Sequence, residues 1–395
     1  MEIRLAKRLE TLPEYLFDML DRKKAEAQAK GVDVIDLGVG DPDKGSPDYV
    51  VEALIEAAKN PANHHYPSFK GLPAFRKAVA DWYQRIYGVP LDPNKEVLLF
   101  VGSKIGINTV PLALCEPGDV VLCPDPCYTA YHPGVTLIGG KIHSMPLFRE
   151  NGFMPDLDAV PEDVRWAAKV MLLNYPGNPT AALATRKFFE KAVDFARKYE
   201  IVVVHDAPYS QTVFDGNRAM SILEIPGAKE VAIEFNSLSK VFNMTGWRIA
   251  YAVGNATVIQ GLGKVKSNID MGVFEPIQHA AIAALKGSMD FTKRMNEIYQ
   301  RRRDVLVEGL NSLGWNVIAP PATFFMWTPI PNPGITSSME FAAAVLDKAG
   351  IIISPGIAFG KNGEGYIRIA LTRDESRMKE AVKRLRDAGF VYSQS

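Results

Sequence analysis

Three cysteines in 395 residues are too few for a disulfide-stapled scaffold. Cys123 and Cys127 stand four apart, but no second Cys/His pair lies nearby to complete a tetrahedral metal site. Cys115, Cys123 and Cys127 therefore read as small buried hydrophobes, and no metal is expected. Charge of one sign is also missing. Lys and Arg number 45 and Asp and Glu 45, a formal net charge of zero, so nothing electrostatic argues for nucleic acid or anionic lipid as a partner. No run of about 18 apolar residues occurs, which excludes a helical membrane span. The opening stretch MEIRLAKRLETLPEYLF mixes charges into its apolar residues and has no signal-peptide core, so a cytoplasmic location is expected. No Gly-x-Gly-x-x-Gly follows an early strand, which removes the dinucleotide fingerprint. Internal repeats and low-complexity tracts are absent too.

What remains has the composition of a globular enzyme, 47% hydrophobic and 23% charged, in a chain longer than one core usually serves. Two domains are expected. Short apolar runs alternate with amphipathic stretches from residue 46 to 283. The runs are 97–101, 120–123, 141–145, 170–174, 201–205, 231–235 and 249–253, rich in Val, Ile and Leu and bounded by Gly, Pro, Asn or Asp. They predict the buried strands of a mostly parallel, seven-stranded sheet in a doubly wound α/β domain. A helix over 185–198 fits between two of them. After Pro276 a charged helical pattern runs from 278 to 313. Alternating segments follow at 315–318, 324–329, 351–354 and 365–371, predicting a smaller α+β domain built from residues 284–395 together with 1–45.

In an open α/β sheet, ligands sit beyond the carboxyl ends of the strands. Gly102-Ser103-Lys104 follows the first run, and such a turn at a helix start exposes N–H groups to a phosphate. Alone, it is equally an ordinary turn. Asn178 lies in Asn174-Tyr175-Pro176-Gly177-Asn178-Pro179-Thr180, an irregular loop able to hold an amide rigidly. His205-Asp206-Ala207-Pro208-Tyr209 puts a carboxylate at the end of a buried strand, where it needs a cationic partner or a helix to cap. A protonated pyridine nitrogen is one such partner, and Tyr209 could then donate to the ring phenolate. His205 reads as a packed neighbour. Ser237-Leu238-Ser239-Lys240 runs on to Gly246-Trp247-Arg248, surrounding a desolvated, imine-forming amine with the hydroxyls and guanidinium that a phosphate dianion requires. Arg368 sits within an apolar strand, where its fork suits an α-carboxylate or a structural salt bridge.

In this order the motifs resemble the fold-type I, class I/II aminotransferases, enzymes dependent on pyridoxal 5′-phosphate (PLP), over most of the chain from Gly40 to Arg368. The resemblance implies that Lys240 holds PLP through an imine and shuttles the substrate proton. It implies that Asp206 pairs with the pyridine nitrogen, that Tyr209 and Asn178 contact the ring oxygen, and that Tyr128 stacks on the ring. Ser103, Lys104, Ser237, Ser239 and Arg248 would hold the phosphate. Arg368, with Asn178 and the Gly40 backbone, would clamp the substrate carboxylate. Tyr66 would reach the phosphate of a neighbouring subunit, implying a homodimer with shared sites. The substrates implied are an amino acid and a 2-oxo acid.

Within the family, the segments at 12–17, 33–43, 102–104 and 354–360 are most similar to the LL-diaminopimelate aminotransferase group, which would put Tyr15 near the substrate. Two departures stand out: Phe69 and Lys70 occupy a segment where plant-type members carry a Glu, and Ile105 replaces the usual Glu after Gly-Ser-Lys. Alanine, aspartate or broad specificity, and a PLP-dependent C–S lyase on the same fold, stand as alternatives.

Overall fold

The computed structural model describes residues 3–10, 12, 16–331 and 334–392. Its centre is a seven-stranded sheet made of β2 (Val97–Phe100), β3 (Val120–Asp125), β4 (Lys141–Pro146), β5 (Ala168–Asn174), β6 (Val202–Asp206), β7 (Ala232–Ser237) and β8 (Ala250–Gly254), numbered after a short β1 (Ile35–Asp36). The spatial order is β2-β8-β7-β6-β5-β3-β4. Pairing is parallel from β4 through β7, and β8 alone runs against its neighbours β7 and β2. All seven expected runs are strands, most of them shifted by a residue or two. The runs are apolar because helices cover both faces of the sheet.

The helix Arg186–Tyr199 illustrates how such a cover forms. Thr185 caps it by accepting from the Phe188 N–H, and Phe188, Phe189, Ala192, Val193, Phe195 and Ala196 line one buried face. Glu200, in the left-handed region at φ 56°, ends it. Phe189 is completely buried, and truncating it to Ala would cost about 3–5 kcal/mol.

A second core gathers Ile35 and Leu37 with residues from Met295 to Phe390. Its sheet is β11 (Ser354–Pro355), β12 (Tyr366–Ala370) and β9 (Phe325–Pro329), all antiparallel. β1 pairs in parallel with β10 (Ile351–Ile352), which ties the N-terminal segment to this core.

Three expectations are corrected here. The long helical pattern is two helices, Glu275–Lys286 and Asp290–Asn311, interrupted at Gly287. The segment 351–354 is split between two sheets. Residues 315–318 form no strand. Asn316 adopts φ 52°, and the Val317 backbone is bonded at both N–H and C=O by the Asn311 side chain, so it has no groups left for a ladder. Trp315 is still buried, its indole N–H donating to the Phe390 carbonyl.

Candidate active site

The carboxyl ends of β5, β6 and β7 open into a cavity of about 370 Å³. Among the described residues, every one singled out for chemistry lines it except Tyr66. Tyr66 lies on the surface, 84% exposed, away from that cavity. Tyr15 lies outside the described residues.

Asp206 ends β6 and is buried. The Tyr131 hydroxyl donates to its Oδ2 at 2.8 Å, whereas Oδ1 is buried with no protein partner. Burial pushes its carboxyl up to about 7, against the opposing pull of the Tyr131 bond and of His205. A cation able to donate one hydrogen bond would satisfy the bare oxygen and return the acid to its ionised form.

Lys240 lies on the helical turn Leu238–Val241 that follows β7. Its Nζ donates to the Gly40 carbonyl at 2.9 Å and sits 5.4 Å from the centre of the Phe324 ring. Burial, with Arg248 and Arg368 assisting and Asp41 opposing, lowers its ammonium to about 8. A neutral, nucleophilic amine is then accessible near physiological pH.

Polar donors collect at one end of the cavity. Gly102, at φ 84°, leads into the helix Ser103–Leu114. A Cβ at Gly102 would come within 2.2 Å of Arg248 Nη2, so only glycine lets the guanidinium close over this turn. Arg248 itself adopts φ 55°, and its Nη1 is steadied by the Thr245 carbonyl at 2.7 Å. Ser237, Ser239 and Lys104 complete this end. Ser237 Oγ also accepts from the Ser239 N–H at 3.2 Å, which fixes the turn bearing Lys240. The set suits a phosphate dianion.

β12 contributes Arg368 to the cavity lining. Its guanidinium carbon lies 4.1 Å from the Phe325 ring centre and 4.7 Å from that of Phe359. Nη1 donates to Asn178 Oδ1 at 2.9 Å, and Nη2 to the Gly38 carbonyl at 2.6 Å. Desolvation lowers it to about 10, which still leaves it charged at neutral pH. Gly40 is obligatory nearby, because a Cβ there would lie 2.3 Å from the Phe325 ring. Tyr209 is buried between Phe324 and Phe325, and desolvation raises its phenol well above the ordinary range, so it remains a neutral hydroxyl. Tyr128 stands edge-on to Tyr131, with ring centres 5.7 Å apart.

Sequence reasoning passed over Tyr131, Asn174, Phe325 and Thr245. Tyr131 follows Tyr128 by one helical turn, and Asn174 pairs in register with Asp206, its Nδ2 donating to the Asp206 carbonyl at 2.6 Å. The first had a spacing signal; the second had none before the strands were paired. Cys123 and Cys127 are buried and their thiols are raised by desolvation, in keeping with a packing role.

The residues fit PLP. The bare carboxylate oxygen matches a protonated ring nitrogen, the lowered lysine matches an aldehyde, and the glycine-lined turn with Arg248 matches a phosphate. Such a site at the strand ends of this sheet defines a fold-type I PLP enzyme. Residues 32–385 match the family described as aminotransferase class I and II. The chain belongs to that family, and it is a PLP-dependent aminotransferase acting on an amino acid and a 2-oxo acid.

Among curated relatives, the LL-diaminopimelate aminotransferase of Moorella thermoacetica is 54% identical over 96% of this chain and 97% of its own. That of Syntrophobacter fumaroxidans is 53% identical over 98% and 99%. Among solved structures, substrate-bound BacF from Bacillus subtilis superposes with a TM-score of 0.94 at 38% identity, covering 98% of both chains. An aspartate aminotransferase single mutant from Thermus thermophilus gives 0.91 at 28% identity, covering 98% of this chain and all of the other.

Proposed function

We propose that this aminotransferase takes LL-diaminopimelate as its amino donor and 2-oxoglutarate as its acceptor, working in the cytoplasm as a homodimer. The relatives at 53–54% identity that carry that activity in their names support the donor. The observation that carries the site assignment is the meeting of Lys240, Asp206 and Arg368 in one cavity, each with its charge state already tuned by burial.

When bound, PLP supplies an electrophilic carbonyl carbon and a cationic ring that draws electrons from the substrate Cα. Lys240 would hold it covalently, and its Nζ, when free, would carry the substrate Cα proton. Asp206, held by Tyr131, would keep the ring nitrogen protonated. Tyr209 and Asn178 would donate to the ring oxygen, with Tyr128 beside the ring. Ser103, Lys104, Ser237, Ser239 and Arg248 would hold the phosphate. Arg368 grips the substrate α-carboxylate bidentately with help from Asn178 and the Gly40 backbone, so the Cα–H bond is presented to Lys240. The exposed Tyr66 would reach the phosphate of a neighbouring subunit. Residues 46–283 serve as the cofactor-bearing domain, and 1–45 with 284–395 as the small domain.

A panel of donors with 2-oxoglutarate tests the substrate: LL-diaminopimelate, alanine, aspartate and an aromatic amino acid, scored by glutamate formation. A strong preference for LL-diaminopimelate is expected. No turnover of it would remove that assignment, and release of ammonia and pyruvate from a thioether amino acid would point to lyase chemistry instead.

A further inference from the structure

Directly behind the site lies a buried histidine–glutamate pair that the mechanism does not use. His205 and Glu234 are register partners on β6 and β7, and neither has any exposed surface. Register partners share a face of the sheet and consecutive residues alternate, so the pair points away from the face that bears Asp206. The donors around Glu234 define its state. Its Oε1 accepts from the Tyr83 hydroxyl at 2.6 Å. Its Oε2 accepts from Ser221 Oγ at 2.8 Å and the Ile222 N–H at 3.1 Å, and lies 2.8 Å from His205 Nδ1. With both oxygens engaged, this carboxyl is fixed in place and orients the imidazole. The edge of the ring is packed by Phe189, with centres 5.0 Å apart.

The other nitrogen leads back to the site. His205 Nε2 lies 2.9 Å from the Tyr175 carbonyl, which can only accept, so Nε2 is a donor here. Tyr175 opens the loop containing Asn178. Pro176 and Pro179 offer no N–H, so backbone bonds of Gly177 and Ala181 are supplemented in this loop by bonds to side chains. Asn174 Oδ1 takes the Asn178 N–H at 2.7 Å, His205 takes the Tyr175 carbonyl, and Asn178 Oδ1 then meets Arg368. An apolar pair in place of His205 and Glu234 would leave this carbonyl without its donor, and Tyr83, Ser221 and the Ile222 N–H without their acceptor.

We propose that His205 is a positioning residue for the carboxylate clamp: oriented by Glu234, its Nε2–H fixes the Tyr175 carbonyl and, through the loop, the Asn178 amide against Arg368. This rests on the assignment of Asn178 and Arg368 to the substrate carboxylate. Two polar variants separate the two ends of the ring. In His205→Gln the side-chain amide reaches the position of Nε2 and can still donate to Tyr175. In His205→Asn the amide reaches only the position of Nδ1, beside Glu234. The readouts on the holoenzymes are the dissociation constant of succinate, a non-reacting dicarboxylate, followed by the visible cofactor band, and the thermal midpoint.

His205→Asn is expected to weaken succinate between about tenfold and a hundredfold, as displacement of a positioning group does. His205→Gln should restore most of that affinity, whatever the two variants do to the midpoint. Unchanged succinate binding in His205→Asn, or equal losses in both variants, overturns the proposal. Asn178→Ala run alongside separates the two failures. If it too binds succinate normally, the clamp assignment is wrong; if it loses affinity while His205→Asn does not, only the role of His205 falls.

Discussion

Asp206 and Glu234 are buried carboxyl groups on adjacent strands, facing opposite sides of one sheet. Glu234 is fully satisfied by donors from the helix Pro73–Tyr87, the turn at Ser221 and β6. Asp206 has a single side-chain donor and one bare oxygen, and burial pushes it up to about 7. The same residue chemistry at the same depth therefore serves two ends. Where the fold completes the hydrogen bonding, the acid organises structure; where it stops one bond short, the acid is kept for a ligand.

The largest effect that bears on this contrast is at the amine opposite Asp206. Lys240→Ala is expected to lower kcat by about four orders of magnitude and to abolish covalent retention of PLP, read by glutamate formation and by mass after borohydride reduction. Borohydride labelling of a different lysine in the parent enzyme would refute the site itself.

The two acids should then separate by readout. Asp206→Asn lowers kcat by about 10²–10³-fold, yet should leave the thermal midpoint of cofactor-stripped protein unchanged or higher, because an expensive buried carboxyl becomes a neutral amide. Glu234→Gln acts chiefly on stability, about 3–5 kcal/mol in urea unfolding, since it breaks up a fully buried, hydrogen-bonded pair with His205. If Glu234→Gln kept full stability while Asp206→Asn unfolded the protein, the contrast would be inverted.

Arg368→Lys sharpens the comparison from the facing wall. Losing the planar fork should raise KM for the amino donor by about tenfold to a hundredfold with a smaller change in kcat. An equal loss in both parameters would place Arg368 in the chemical step.

The smallest effect belongs to a satisfied but exposed acid. Hydrogen bonds from Arg377 and Arg384 lower Asp33 to about 2. Because the folded state holds this group more acidic than its ordinary 3.8, its contribution is complete above that value and is lost as pH falls through about 2. Asp33→Asn should shift the thermal midpoint only slightly at pH 7, and the two proteins should converge as the pH approaches 2.

Much of this was legible in the chain itself. The seven apolar runs were readable because strands covered on both faces must be continuously apolar. The Ser237–Arg248 segment was readable because hydroxyls, a lysine and an arginine between two buried strands have few other uses. What escaped depended on pairing. Asn174 is an ordinary turn residue until β5 lies beside β6, and Tyr131 looks like core until its hydroxyl meets Asp206. His205 was read as packing, since nothing in its neighbours reveals which atoms its two nitrogens will face. The failed strand at 315–318 had the right alternation, but the competing acceptor and donor on Asn311 lie outside the window that shows it.

The grip on Arg368 has a practical corollary. Two phenyl faces, the Gly38 carbonyl, the Asn178 amide oxygen and the Ser354 hydroxyl hold its guanidinium, and each of these is uncharged. Cavity-lining positions outside this set and the cofactor-holding residues can accordingly be rewritten, by evolution or by an engineer seeking a new donor, without uncoupling recognition of the α-carboxylate. Chain length and charge of the accepted amino acid can drift while the reaction itself is inherited intact.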